Sequence, residues 1–226
     1  MNDANTTEPR RRFRRRKEAR PAELIDAGLQ EFALHGFAAA RLEDVARRAG
    51  VVKGTIYRYF ADKEALFLAA VRSRITPVFD EITGFVDTFP GSTRELLQLM
   101  LASVHKQLVN SEVRVLIRII IAEGERFPAL PELYYREIIA KGRTLLERIV
   151  ARGIERGEVR KGSVANLPIV IMAPAIMAAI WGMTFDRHAP ISSEAFLAAH
   201  LDLVFNGLLT PESCGNGEPL CRSGGS

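Results

Sequence analysis

Apolar residues recur at helical spacing from one end of this 226-residue chain to the other, and nowhere do they alternate with polar ones as a half-buried strand requires. That pattern predicts an all-α protein of about nine helices. Pro21 suits the first turn of a helix whose apolar residues Leu24, Ile25, Leu29, Phe32 and Ala33 share one side until Gly36 stops it. Two short helices follow, about Leu42 to Ala49 and Lys53 to Tyr59, with Gly50 supplying the turn between them. After Ala61 a longer helix turns Leu66, Phe67, Ala70 and Val71 inward until Pro77 kinks or ends it. Further helices are expected over Thr93 to Asn110, Glu112 to Glu125, Glu132 to Arg156, Val164 to Arg187 and Ser193 to Leu209. Their punctuation is Pro90-Gly91-Ser92, Phe127-Pro128, Gly157, Gly162-Ser163 and Ala189-Pro190.

Charge is distributed unevenly over this frame. Residues 1–60 carry 13 Lys and Arg against 8 Asp and Glu, whereas residues 61–226 carry 18 against 19. The whole basic excess therefore lies in the first quarter, and a basic surface there suits a polyanion such as nucleic acid or an anionic membrane. Cys214 and Cys221 stand in a Gly/Ser-rich tail with no further Cys and no nearby His to complete a disulfide framework or a metal site. They read as incidental thiols of a reducing cytoplasm. His35, His105, His188 and His200 are scattered without zinc-type spacing, and the chain has no phosphate-cradling Gly loop and no nucleophile motif. No catalytic residue, metal or cofactor is expected, and enzymatic function is set aside. Arg10-Arg11-Arg12-Phe13-Arg14-Arg15-Arg16-Lys17 looks like a twin-arginine export signal, but Glu23, Asp26 and Glu31 interrupt the apolar stretch such a signal needs.

The segment Leu42 to Phe60, LEDVARRAGVVKGTIYRYF, concentrates the information. Val45, Ala46, Ala49, Val51, Ile56 and Phe60 let two short helices cross closely over Gly50. Packing uses up that face and leaves Lys53, Gly54, Thr55, Tyr57, Arg58 and Tyr59 on the other. Spacing alone also admits an ordinary helical hairpin with solvated basic residues. The basic arm that precedes the module favours a helix-turn-helix, whose second helix enters the major groove with its first turns against base edges and phosphates.

From Gly36 to Leu66, GFAAARLEDVARRAGVVKGTIYRYFADKEAL resembles the DNA-binding domain of the TetR family of bacterial repressors, in its Ala-Gly-Val turn, its Tyr-x-Tyr-Phe ending and the Lys-Glu-x-Leu that follows. The resemblance implies that Lys53, Gly54 and Thr55 approach bases or phosphates, that Tyr57 and Tyr59 bring hydroxyls to the backbone, and that Lys63 contacts phosphate. Arg58 is a candidate base reader. Two positions depart from the family pattern: Arg41 and Val52 stand where relatives carry hydroxyl caps, which costs each helix start ~1 kcal/mol. Arg41 is added to the DNA-facing set as a phosphate contact. The arm reads either as a solvated tail or as a DNA-contacting extension.

Gly162 to Phe185 holds 24 residues without a charge, long enough to span a bilayer. Pro168, Pro174, the Ala-rich middle and the lack of a second span favour a helix buried on nearly all sides. The next helix has two apolar stripes, more than one core face needs. The last two long helices are therefore expected to form a four-helix homodimer interface, as the family resemblance also implies. That resemblance further implies an effector pocket, with Met100, His105, Phe127, Tyr134, Met177 and Trp181 as candidates beside their ordinary role in core packing, and a hydrophobic or aromatic ligand. The expected organisation is a basic disordered arm over 1–18, a helix-turn-helix domain over 19–65, a helical ligand-binding and dimerisation domain over 66–210 and a flexible tail over 211–226. The expected function is that of a cytoplasmic, dimeric repressor on double-stranded DNA, released from a pseudopalindromic operator by its effector. The alternative is a sequence-independent architectural DNA-binding protein.

Overall fold

The computed structural model describes residues 8–108 and 113–210, the side chains of 8–19, 77–79 and 81 excepted. The tail with Cys214 and Cys221, and the side chains of the basic arm, lie outside the described residues. Within them there are twelve α-helices, one π-turn, one 3-10 turn and a single β-bridge, Val159 to Leu209. Contacts divide the chain into two compact units, Met1–Pro77 with Glu112–Ala140, and Val78–Ser111 with Lys141–Ser226.

The first unit is built on α1 (Glu8–Ala39), α2 (Leu42–Arg48), α3 (Lys53–Tyr57) and α4 (Lys63–Arg74). The backbone is helical from Glu8 onward, where the sequence suggested a disordered arm, and Pro21 lies inside α1 rather than in its first turn. Arg, Lys, Glu and Ala before Pro21 are good helix formers, which accounts for the extension. Gly36 (φ 74°, ψ 174°) breaks α1 as expected, in a region of backbone space that only glycine adopts at low cost. Leu24, Leu29, Phe32, Phe37, Val45, Ala46, Ile56, Leu66 and Phe67 are buried. Phe37 packs edge-on against Phe67 at 6.0 Å and Phe127 at 5.1 Å, so the aromatic core joins α1, α4 and the segment after α7 (Arg114–Glu123). The chain also brings α8 (Ala129–Tyr134) and the π-turn Tyr135–Ile139 against α4. There the buried Glu137 accepts from Arg72 at 2.8 Å.

The second unit contains α5 (Thr76–Phe85), α6 (Thr93–Leu108), α9 (Ala140–Glu155), α10 (Ser163–Asn166), α11 (Ala173–Thr184) and α12 (Ser193–Leu208). Its core draws Leu96, Leu97, Met100 and Leu101 from α6, Leu145, Leu146, Ile149 and Val150 from α9, and Val204, Phe205 and Leu208 from α12. Ser92 and Glu95 form a reciprocal cap at the start of α6: Ser92 N–H donates to the Glu95 carboxylate at 2.7 Å and Glu95 N–H to Ser92 Oγ at 3.2 Å.

Three stretches are more finely divided than their periodicity suggested, and α5 was not anticipated. Pro77 sits in the opening turn of α5, where its missing N–H is no loss. Glu132 to Arg156 is interrupted by the π-turn. The uncharged stretch is not one helix: Pro168 opens a 3-10 turn, Pro168–Met172, and Pro174 occupies the first turn of α11. Each proline thus starts an element instead of bending one. No helix among the described residues is long and apolar enough to cross a membrane. Nor is α11 buried all round; Ala175, Ala178 and Ala179 are covered, while Met177 is half-exposed.

Candidate DNA-binding interface

Helix α2 ends at Arg48 with Ala49 as its C-cap, Gly50 turns with φ 65°, and Val51 N–H closes onto the Ala46 carbonyl at 2.9 Å. Only Ile56 of α3 is buried. Lys53, Gly54, Tyr57 and Arg58 are exposed, Thr55 and Tyr59 partly so, and the ring of Tyr59 leans on Phe60 at 6.5 Å. A Cβ placed on Gly54 would meet nothing within 4 Å, so the first turn of α3 faces open space. The caps are bare as anticipated. Neither Arg41 at the start of α2 nor Val52 at the start of α3 offers a side-chain hydrogen bond, whereas Asp62 caps α4 by accepting from Ala65 N–H at 2.7 Å. Arg41 lies exposed beside the module.

Two members of the DNA-facing set meet at a residue that the sequence did not single out. Lys53 Nζ lies 2.8 Å from Glu43 Oε1, and the Tyr57 hydroxyl donates to the same oxygen at 2.9 Å. The ammonium also stands 5.7 Å over the Tyr57 ring. These contacts, that of Lys53 first, hold the Glu43 carboxyl down at about 2, and the Glu43 hydrogen bond raises both the Lys53 ammonium and the Tyr57 phenol.

Lys63 has a more structural position than a phosphate contact alone would give it. Its ammonium donates to the carbonyls of Phe37 at 2.8 Å and Ala38 at 3.0 Å and sits over the rings of Phe37 and Phe127. These two hydrogen bonds use two of its three N–H groups. The same segment is held from α7. Glu123 accepts from the N–H of Phe37 at 2.6 Å and of Ala38 at 2.7 Å, while Arg118 donates to the Ala33 carbonyl at 2.6 Å. Both faces of the Gly36 break therefore have their backbone groups satisfied by charged side chains more than 80 residues away in sequence. Nearby, the buried Glu31 is gripped by Arg48 through Nε at 3.0 Å and an Nη at 2.8 Å, tying α1 to the end of α2. Sequence showed the break at Gly36 but not its partners, because no local spacing links residues so far apart.

The candidates for an effector site divide between the units. Phe127 packs against Phe37, and Tyr134 is buried, a burial that pushes its phenol up to about 12; both belong to the first unit. In the second, Met100 is a core residue and Met177 is half-exposed. Trp181 lies tilted against Phe185, ring centroids 5.1 Å apart, and donates its indole N–H to the Ala189 carbonyl at 2.7 Å. His105 and His200 are buried together, with His105 Nε2 2.9 Å from His200 Nδ1 and His200 Nε2 2.8 Å from the Ile171 carbonyl.

Residues 24–70 match the model for bacterial regulatory proteins of the tetR family, and residues 87–204, more than half of the chain, match a tetracyclin repressor-like C-terminal domain. The chain belongs to the TetR family. It is 26% identical to the fatty acid metabolism regulator protein of Bacillus subtilis over 150 residues, 65% of this chain and 75% of that one. It is 27% identical to the HTH-type transcriptional repressor KstR2 of Mycobacterium tuberculosis over 193 residues, 84% and 93% of the two chains. Among solved structures, the regulator FadR of Bacillus subtilis in complex with stearoyl-CoA superposes with a TM-score of 0.68 at 20% identity, covering 82% of this chain and 98% of that one. This TetR-family protein is a DNA-binding transcriptional regulator, and not an enzyme.

Proposed function

We propose that the protein is a homodimeric repressor that reads a pseudopalindromic operator with α3 in the major groove and leaves it when a small apolar effector binds. The observation that carries this reading is the division of α3, whose single buried residue, Ile56, leaves Lys53, Gly54, Tyr57 and Arg58 directed outward at its surface. Thr55, Tyr59 and Arg41 flank that surface, and the remaining N–H of Lys63 adds a phosphate contact. Phosphate contacts set register and salt dependence, and Lys53 or Arg58 reaching guanine sets sequence.

One short helix reads few bases, so recognition requires two copies. The half-exposed Met177 of α11 and exposed Leu203 of α12 support a dimer formed through these two helices. An apolar effector is supported by the stearoyl-CoA held by the structural relative and by the fatty acid metabolism regulator among the sequence relatives. Residues 66–210 would then house the ligand and the dimer contact, in a protein that works in the cytoplasm.

Selection of bound duplexes from a random-sequence library tests the reading. It should return a pseudopalindrome with half-site centres ~34 Å, or a multiple of that, apart. Lys53→Ala or Arg58→Ala should relax preference at one position per half-site by ~1 to 3 kcal/mol. Recovery of no palindrome, with both variants weakening every sequence alike, would show an architectural DNA-binding protein instead.

A further inference from the structure

Resting on the reading of Lys53 and Tyr57 as DNA contacts, we propose that Glu43 is a built-in competitor for phosphate, which holds these two side chains together in the free protein and thereby suppresses binding to non-operator DNA. One carboxylate oxygen takes both the Lys53 ammonium at 2.8 Å and the Tyr57 hydroxyl at 2.9 Å. Like a DNA phosphate oxygen it is an anionic acceptor, so it competes for the same two donors. The cluster stands in the open, with the Lys53 side chain 67% exposed and that of Glu43 37% exposed, so incoming DNA can exchange with the carboxylate without unfolding anything.

The consequence differs between the two kinds of DNA. In a non-specific complex affinity comes from neutralising phosphates, so a lysine already paired with a carboxylate contributes less, and the carboxylate itself repels the backbone. In the operator complex the same pairing brings a compensation: Lys53 lies over the Tyr57 ring and arrives beside the hydroxyl it acts with, so less side-chain freedom is lost on binding. Glu43 is therefore a positioning residue that widens the gap between operator and random DNA. The other acidic side chain of α2's first turn, Asp44, is engaged by Arg47 at 2.6 Å and does not share this role.

The test is Glu43→Gln in the full-length protein, titrated over a range of salt against poly(dI-dC) and against the duplex recovered by selection. Gln keeps an oxygen for Tyr57 and loses the charge. Affinity for poly(dI-dC) should rise about two- to fivefold, as expected for freeing one exposed ion pair. The salt dependence should steepen by about one phosphate equivalent, and the preference for the selected duplex should fall. In a Lys53→Ala background, Glu43→Gln should raise poly(dI-dC) affinity by clearly less, because only the carboxylate's own repulsion of the backbone and its hold on Tyr57 are then relieved. Thermal unfolding of each variant separates these effects from loss of fold. If Lys53→Ala leaves affinity for both DNAs unchanged, the assignment of Lys53 as a contact fails. If Lys53→Ala weakens binding but Glu43→Gln leaves poly(dI-dC) affinity and salt slope unchanged, or acts equally without Lys53, the role of Glu43 is overturned.

Discussion

His200 Nε2 faces the Ile171 carbonyl, which can only accept, so this nitrogen carries the proton and Nδ1 is left as an acceptor. His105 Nε2 must then donate to it, which leaves His105 Nδ1 as a buried acceptor with no hydrogen-bond partner among the described residues. The family resemblance offered His105 as an effector-pocket candidate; its partner in the structure is a histidine 95 positions away that no spacing rule connects to it. Burial holds both imidazoles neutral, depressing His105 to about 4, with His200 adding to the effect, and lowering His200 as well. The unfolded chain takes up protons below the ordinary histidine range while the folded one resists, so this pair costs stability as pH falls from 6.5 toward 4. Urea unfolding should show a decline on the order of 2 kcal/mol across that window, and the His105→Leu/His200→Leu double variant should flatten it. An unchanged slope in the double variant would place the acid sensitivity elsewhere.

At the scale of elements, the break in α1 shows which structural signals are local. Gly36 was legible as a stop because the apolar pattern ended on it, and Pro77 was legible as an interruption because proline lacks the N–H a helix interior needs, whereas Pro174 was read inside one long helix. What a proline interrupts is a different matter: either proline could have kinked one helix, and the structure uses each to open a new one. The partners of the break were hidden altogether. Glu123 supplies the N–H groups of Phe37 and Ala38 with an acceptor and also lies 2.9 Å from where a Gly36 Cβ would stand. Gly36→Ala should therefore cost about 1 to 3 kcal/mol through backbone strain, measured by denaturant unfolding. Glu123→Gln, which keeps one acceptor and loses the charge, should cost about 1 to 2 kcal/mol. It should also weaken operator binding, because the break precedes α2 directly. Wild-type stability and affinity in both variants would mean that the Gly36 segment is held by its aromatic packing alone.

For the molecule as a whole, the all-α class and the helix-turn-helix were readable because helical periodicity and the motif are short-range patterns, repeated or dense enough to stand out. The proposed pairing of copies rests on long-range surface character and is open to a direct test. Met177→Glu with Leu203→Glu places charge on two exposed apolar positions of α11 and α12, and sedimentation should then show monomers whose operator affinity has collapsed. A double variant that still sediments as a dimer would move the interface to other helices. The first unit carries a consequence of another kind. It joins residues up to Pro77 with a second segment, Glu112–Ala140, and the side chains that hold the Gly36 break, Arg118 and Glu123, come from that second segment. The DNA reader is thus not a portable cassette. Recombination that grafts the first 77 residues onto a foreign partner would carry the glycine away from its glutamate, so descent and engineering alike must exchange this reader together with the later segment that secures it.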